Sequence, residues 1–158
     1  MKELFLIRHA EAHYPLGLPD FDRELTPRGL ADALALGQAE ARKLSSVEAI
    51  YASAAMRTMQ TAQAVAQAAG LWAEVTTEEF LYLAHAPAIV QWMASLPDEL
   101  NGLLIVGHNP TMYDLASAMG IGLNRFPKCG MVAIRFDTKR WANIGPKCRV
   151  AQHISFTP

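Results

Sequence analysis

Four residues far apart in the chain carry groups suited to one chemistry: Arg8, His9, Arg57 and His108. Planar guanidinium forks match the oxygens of a phosphoryl group, and imidazole can serve as nucleophile, base or donor near neutral pH. Each of the four follows an apolar run. Leu4-Phe5-Leu6-Ile7 gives way to Arg8-His9, Leu103-Leu104-Ile105-Val106 to Gly107-His108-Asn109-Pro110, and Ala49-Ile50-Tyr51-Ala52 to Ser53 and then Arg57. An Arg-His pair alone also fits an ordinary polar strand end. Two arginines and two histidines placed this way point instead to a phosphoryl group.

Such runs read as strands buried on both faces, as in a parallel sheet, and ligands of open α/β sheets bind beyond the C-terminal ends of the strands. The first and fourth strands are expected to be neighbours, so that His9 and His108 meet. Ser53 is expected to cap a helix over 54–69, with Arg57 near its positive end and Gly70 as its stop. Asn109 is expected as the N-cap and Pro110 as the first residue of another helix. Thr26-Pro27 opens a helix whose apolar stripe is read as Leu30, Ala33, Leu34, Gly37, Ala41 and Leu44. A short strand at 73–76 and a helix from Pro87 to Pro97 continue the alternation. Val132–Phe136 and Val150–Phe156 alternate in polarity and predict an antiparallel pair at one side. The pattern predicts an α/β fold of three layers, α/β/α, with a mostly parallel sheet and antiparallel C-terminal strands. Residues 13–26, rich in Pro, Gly and Asp, form a loop that begins at the site edge.

The chain has 158 residues, 51% of them apolar, which suits one domain over 1–158 with a sizeable core. A net charge of −1 with mixed signs gives no basic face for nucleic acid and no polybasic membrane segment. The apolar runs are strand-length, so no membrane span is expected, and the expected compartment is the cytoplasm. Cys129 and Cys148 are expected to be free thiols. His13, His85 and His153 have no ligand spacing, so no metal and no cofactor are predicted.

The motifs Arg8-His9-Ala10, Leu25-Thr26-Pro27-Arg28-Gly29, Ser53-x-x-x-Arg57-Thr58-x-Gln60-Thr61-Ala62 and Gly107-His108-Asn109-Pro110 occur together and in order. In this the chain resembles the histidine phosphatase superfamily, which includes the cofactor-dependent phosphoglycerate mutases. Ala10 stands where that family usually has Gly. The Ala10-Glu11-Ala12 continuation and the short length are most similar to the branch typified by SixA, a phosphohistidine phosphatase. The resemblance implies a phosphoglycerate-mutase-like fold and a phosphoenzyme mechanism. His9 would be the nucleophile, Arg8 and Arg57 would clamp the phosphoryl oxygens, and His108 would donate to the same oxygens.

Many relatives carry a Glu beyond the third strand that protonates the leaving oxygen. Glu79 is the candidate here, although a solvated carboxylate before Phe80-Leu81 fits the same residue. A weak or missing acid favours phosphohistidine over alkyl phosphates. Three readings stand: a phosphatase of phosphohistidine on a protein partner, a small-molecule phosphomonoesterase, and a non-catalytic phosphate- or partner-binding domain. The intact set of two Arg and two His disfavours the last. With no long insertion after the third strand, a shallow, open site is expected.

Overall fold

The computed structural model describes residues 1–156. Its elements are β1 (Lys2–Arg8), α1 (Pro27–Ala39), α2 (Ala41–Leu44), β2 (Ala49–Ser53), α3 (Met56–Ala69), β3 (Val75–Glu78), α4 (Phe80–Leu83), α5 (Ala86–Ala94), β4 (Gly102–Gly107), α6 (Thr111–Ala118), β5 (Met131–Phe136) and β6 (Arg149–Ser155). One six-stranded sheet runs in the order β3-β2-β4-β1-β5-β6, with β1 to β4 mutually parallel and β5 and β6 added antiparallel at the far side. β1 and β4 are neighbours in the register Arg8 to Gly107. That register sets His9 and His108 side by side.

Alternation along β1 feeds two separate apolar cores. Leu4 and Leu6 pack with Ile89, Met93 and Leu115 on the α5/α6 face, while Phe5 and Ile7 pack with Ala33, Leu36, Ala62 and Val65 on the α1/α3 face. All four strand residues are fully buried, each contributing about 1.5–3 kcal/mol. A one-residue slip would exchange the faces and drive Arg8 into a core, so the register is strongly specified.

Several boundaries differ from the sequence reading, each for a local reason. Ser53 ends β2 and does not cap α3; the helix starts at Met56 with no side-chain cap on its first turn. The hydroxyl of Thr58, between Ser53 O at 2.7 Å and Ala55 O at 2.8 Å, secures that turn instead. Asn109, expected as the N-cap, lies one residue outside it, with its Oδ1 accepting from Tyr113 N, and Pro110, after a cis bond, is the N-cap of α6. β3 lies two residues later than expected. Leu30 and Leu34 of α1 are exposed, and the buried stripe is Gly29, Ala33, Leu36 and Gly37. Small residues set that phase: a Cβ at Gly37 would stand 2.5 Å from Val65 O of α3.

Thr26 caps α1 through Gly29 N, as the sequence suggests, and its hydroxyl donates to Glu11 Oε2. Thr26 N also donates to Glu11 O. The start of α1 is therefore fastened to the chain just after His9. A Cβ at Gly29 would lie 2.1 Å from Glu11 O, which only backbone movement could relieve. Gly29→Ala is expected to cost about 1–3 kcal/mol, the usual range for overpacking, measured as a fall in Tm. An unchanged Tm would show that this contact is loose.

Candidate active site

β1 delivers the first two site residues, and its end is held from three sides. Arg8 N donates to Gly130 O, His9 N to Gly107 O, and the N–H of Cys129 reaches both Arg8 O at 3.0 Å and His9 O at 3.1 Å. Cys129 adopts a left-handed φ of 59° to do so, a conformation that a side chain other than glycine takes at a cost. Ala10 N donates to Thr61 Oγ1, whose hydroxyl donates to Arg57 O. Through Thr61, the strand bearing His9 and the helix bearing Arg57 share one hydrogen-bond path.

Arg8, His9, Arg57 and His108 line a common cleft of about 370 Å3. His9 and His108 have ring centroids 5.4 Å apart. His9 Nδ1 lies 2.8 Å from Ala10 O. A carbonyl oxygen can only accept, so Nδ1 carries the proton and Nε2 keeps its lone pair. His108 Nδ1 lies 3.3 Å from Arg57 Nη2, an obligate donor, so the His108 proton resides on Nε2 and is directed to Ser53 Oγ at 2.8 Å.

Burial is the main reason that both rings are neutral, pushing His9 down to about 3 and His108 down to about 4. The surrounding arginines add to the shift, while the Ala10 carbonyl opposes it at His9 and Asp20 opposes it at His108. Arg8 is lowered from its usual value by burial and stays a cation. Both arginines hold a buried Nε with no partner among the described residues, although other parts of each guanidinium are engaged. Two guanidinium groups lining one cleft with a free lone pair on His9 suit a tetrahedral oxyanion.

Glu79 does not join the cleft. It is exposed ahead of α4, and the carboxylate that lines the cleft is Asp20, from the loop after β1. Asp20 Oδ2 accepts from Tyr82 OH at 2.6 Å and Arg57 Nη2 at 3.0 Å, Oδ1 accepts from Arg23 Nη1 at 3.0 Å, and the main-chain oxygen accepts from Arg57 Nη1. Those donors, Tyr82 first, hold the Asp20 carboxyl well below the usual carboxylate range, while the Tyr82 phenol is raised chiefly by the same bond. Arg23 is buried, donates to His13 O and stacks 3.4 Å over the Tyr14 ring, giving the loop its shape. Asp20, Arg23 and Tyr82 are therefore cleft residues that sequence spacing did not single out, while Ser53, singled out as a helix cap, instead meets His108 Nε2. The Asp20-x-x-Arg23 spacing just before Leu25-Thr26 was the available signal.

The cleft opens onto further concave surface. A groove of about 810 Å3 adjoins the cleft, shares Arg8, Asn109 and Lys128 with it, and adds Arg28 and Arg125. No inserted cap stands between β3 and α5, where residues 79–85 form only α4. Cys129 and Cys148 are free, and burial pushes the Cys129 thiol up to about 12. Among the described residues, no helix is long and apolar enough to cross a membrane.

Residues 4–82 match the profile of the histidine phosphatase superfamily, branch 1. An uncharacterized protein of Mycobacterium tuberculosis is 32% identical over 153 residues, spanning 90% of this chain and 94% of its own length. The structure of a candidate phosphohistidine phosphatase SixA from Nakamurella multipartitia superposes with a TM-score of 0.82 at 26% identity, over 98% of this chain and 95% of that one. A corresponding SixA candidate from Agrobacterium tumefaciens gives 0.77 at 29% identity, over 85% and 92%. The chain belongs to the histidine phosphatase superfamily. It is a hydrolase of the phosphatase class, and its structural likeness is to the SixA group.

Because both rings are held neutral, NMR of the His9 and His108 ring signals should show no titration midpoint between about pH 5 and 8. The unfolded chain protonates these rings near pH 6.5 and the folded chain near 3 and 4, so the unfolded state binds more protons in between. Stability should fall as pH drops below about 6.5. A His9 midpoint near 6.5 would contradict the assigned environment.

Proposed function

We propose that the protein removes phosphoryl groups from phosphohistidine on a protein partner, through a phosphoryl-His9 intermediate. The observation that carries this reading is the state of His9: neutral, with Nδ1–H committed to Ala10 O and Nε2 free. The lone pair on Nε2 forms the bond to phosphorus as the bond to the leaving group breaks. Water then attacks the phosphoryl group, the electron pair returns to Nε2, and the protons of the water leave with inorganic phosphate. One difficult displacement becomes two easier ones.

In this reading Arg8 and Arg57, which line the cleft beside His9, neutralise the equatorial oxygens. His108 is lowered by burial first and by the Arg57 charge second; a phosphoryl dianion entering beside it offsets that charge, so His108 gains basicity and becomes a donor to the transferring group. The choice of a nitrogen-linked substrate is supported by the carboxylates. Glu79 is outside the cleft, and Asp20 is held ionised, so neither suits the role of proton donor to an alkoxide. The names of the SixA-type neighbours agree with this choice. The adjoining basic groove favours a second reading, a phosphomonoesterase whose substrate carries another anionic group.

Brief reaction with labelled phosphohistidine protein, followed by an alkaline quench, should trap an acid-labile phosphoenzyme in the intact protein and none in His9→Ala. Retained label and turnover in that variant would remove His9 from the role. Charge-preserving Arg57→Lys should lose on the order of ten- to a thousandfold in kcat, because an ammonium cannot reproduce the fork. Near-normal turnover would mean that charge alone suffices. A phosphohistidine-bearing domain should also show much higher kcat/KM than phosphoglycerate or sugar phosphates; equal efficiency on a small ester would favour the second reading.

A further inference from the structure

We propose that Asp20 determines leaving-group specificity: its carboxylate, fixed at the cleft by Arg57, Arg23 and Tyr82, accepts the N–H of a cationic nitrogen leaving group. The site thereby selects phosphoimidazolium over phosphate esters of neutral or anionic alcohols. This rests on the phosphohistidine reading above and adds the group that recognises the departing ring.

A carboxylate beside a phosphoryl site is an electrostatic liability, since it repels the dianion that the arginines attract. Here it is built in. Three donors converge on it, two of them from the buried residues Arg23 and Arg57. A carboxylate offers about four acceptor positions. Tyr82 and Arg57 occupy Oδ2 and Arg23 occupies one side of Oδ1, which leaves an acceptor position on Oδ1, and the side chain is half exposed. The opposing cation, Lys128, belongs to the side of the cleft shared with the basic groove, whereas Asp20, Arg23, Arg57 and Tyr82 line the cleft alone. Asp20 is thus the one carboxylate that lines the cleft among the described residues.

The chemistry that follows needs no proton donor. In a phosphoimidazolium the ring nitrogen remote from phosphorus carries an N–H, which Asp20 accepts. His9 Nε2 bonds to phosphorus, the substrate P–N bond breaks, and its electron pair returns to the departing ring. That ring leaves as neutral imidazole with its N–H still in place. The positive charge passes to the His9 ring, where Nδ1–H already faces Ala10 O. Imidazole replaces imidazole, and no proton moves. An alcohol leaving group has no charge to offer Asp20 and needs a proton that the site does not supply.

The test compares kcat/KM for phosphoimidazole and p-nitrophenyl phosphate in the intact protein and in Asp20→Asn, which keeps an acceptor for Arg57 and Tyr82 but removes the charge. The ratio of the two should fall at least tenfold in the variant. An equal loss on both substrates would overturn the proposal by reducing Asp20 to a support for Arg57. A loss confined to the ester would overturn it in favour of a proton relay through Tyr82. A second measurement needs no variant: phosphocholine and 3,3-dimethylbutyl phosphate are close in shape and differ in the cationic head. The intact protein should show at least a tenfold lower KM for the choline ester, and equal values would overturn the proposal even if Asp20→Asn does not fold. Ester turnover with none on phosphoimidazole would instead overturn the phosphohistidine reading, leaving the cation preference to be decided by the ester pair.

Discussion

Concentrated positive charge, partly withdrawn from water at the end of a strand buried on both faces, is the constraint on which the site depends. Two like charges about 4 Å apart repel by roughly 4 kcal/mol at an effective dielectric of 20. Burial first, and then Arg57 Nη2 at 3.3 Å from His108 Nδ1, disfavour an imidazolium there, so the ring is neutral. His9 is neutral for the same reasons, with burial leading. His9 is therefore unprotonated chiefly because it is withdrawn from water, with Arg57 and Arg8 adding to the effect. In the proposed mechanism, attraction of the phosphoryl group and an unprotonated His9 come from one buried arrangement.

Such a cluster has to be offset while no phosphoryl group is bound. Main-chain carbonyls do part of this: Phe126 O accepts from Arg8, and Asp20 O accepts from Arg57. The Asp20 carboxylate does the rest, and to reach Arg57 it must bring the loop after β1 across the cleft. The loop is fastened at its far end as well, where Leu25 N donates to Gln60 Oε1 and Ala12 bridges Leu25. Gln60 and Thr61, one turn beyond Arg57 on α3, thus hold the loop and the nucleophile strand respectively. The spacing Arg57-Thr58-x-Gln60-Thr61 is a mechanical unit: one helix face carries the guanidinium at the cleft together with the two side chains that fasten the loop and the β1 end.

The strand ends were legible in the sequence because continuous apolar runs followed by a charge have few other meanings in an alternating α/β chain. Neighbouring β1 and β4, the antiparallel β5 and β6, and the meeting of Arg8, His9, Arg57 and His108 all follow from that pattern. What the pattern could not carry was anything decided by close backbone approach or by loop conformation. The phase of α1 is set by Gly29 and Gly37 against other backbones, so Leu30 and Leu34 misled a reading based on hydrophobicity. Asp20 and Arg23 sit in a segment whose Pro and Gly content says only that it turns. Lys2 is a further case: fully buried, it donates to Asp98 O, Leu100 O and Asn101 Oδ1, partners roughly a hundred residues away in sequence.

Glu79 shows how local chain direction decides whether a carboxylate reaches a cleft. A Glu after the third strand is close to the cleft in sequence order, but α4 turns immediately after it, and the residues that face the cleft from that helix are Tyr82 and Leu83. The side chain reaching the cleft from this segment is therefore a phenol, and it donates to a carboxylate that comes from the opposite loop. Exchanging a carboxylic acid for a phenol bonded to a carboxylate changes what the site can do for a leaving group. A carboxylic acid gives up a proton, whereas an ionised carboxylate can only accept one or attract a cation. Leaving groups that depart without enzymatic protonation suit the second arrangement, and nitrogen heterocycles already bearing their proton are the group that gains most from it.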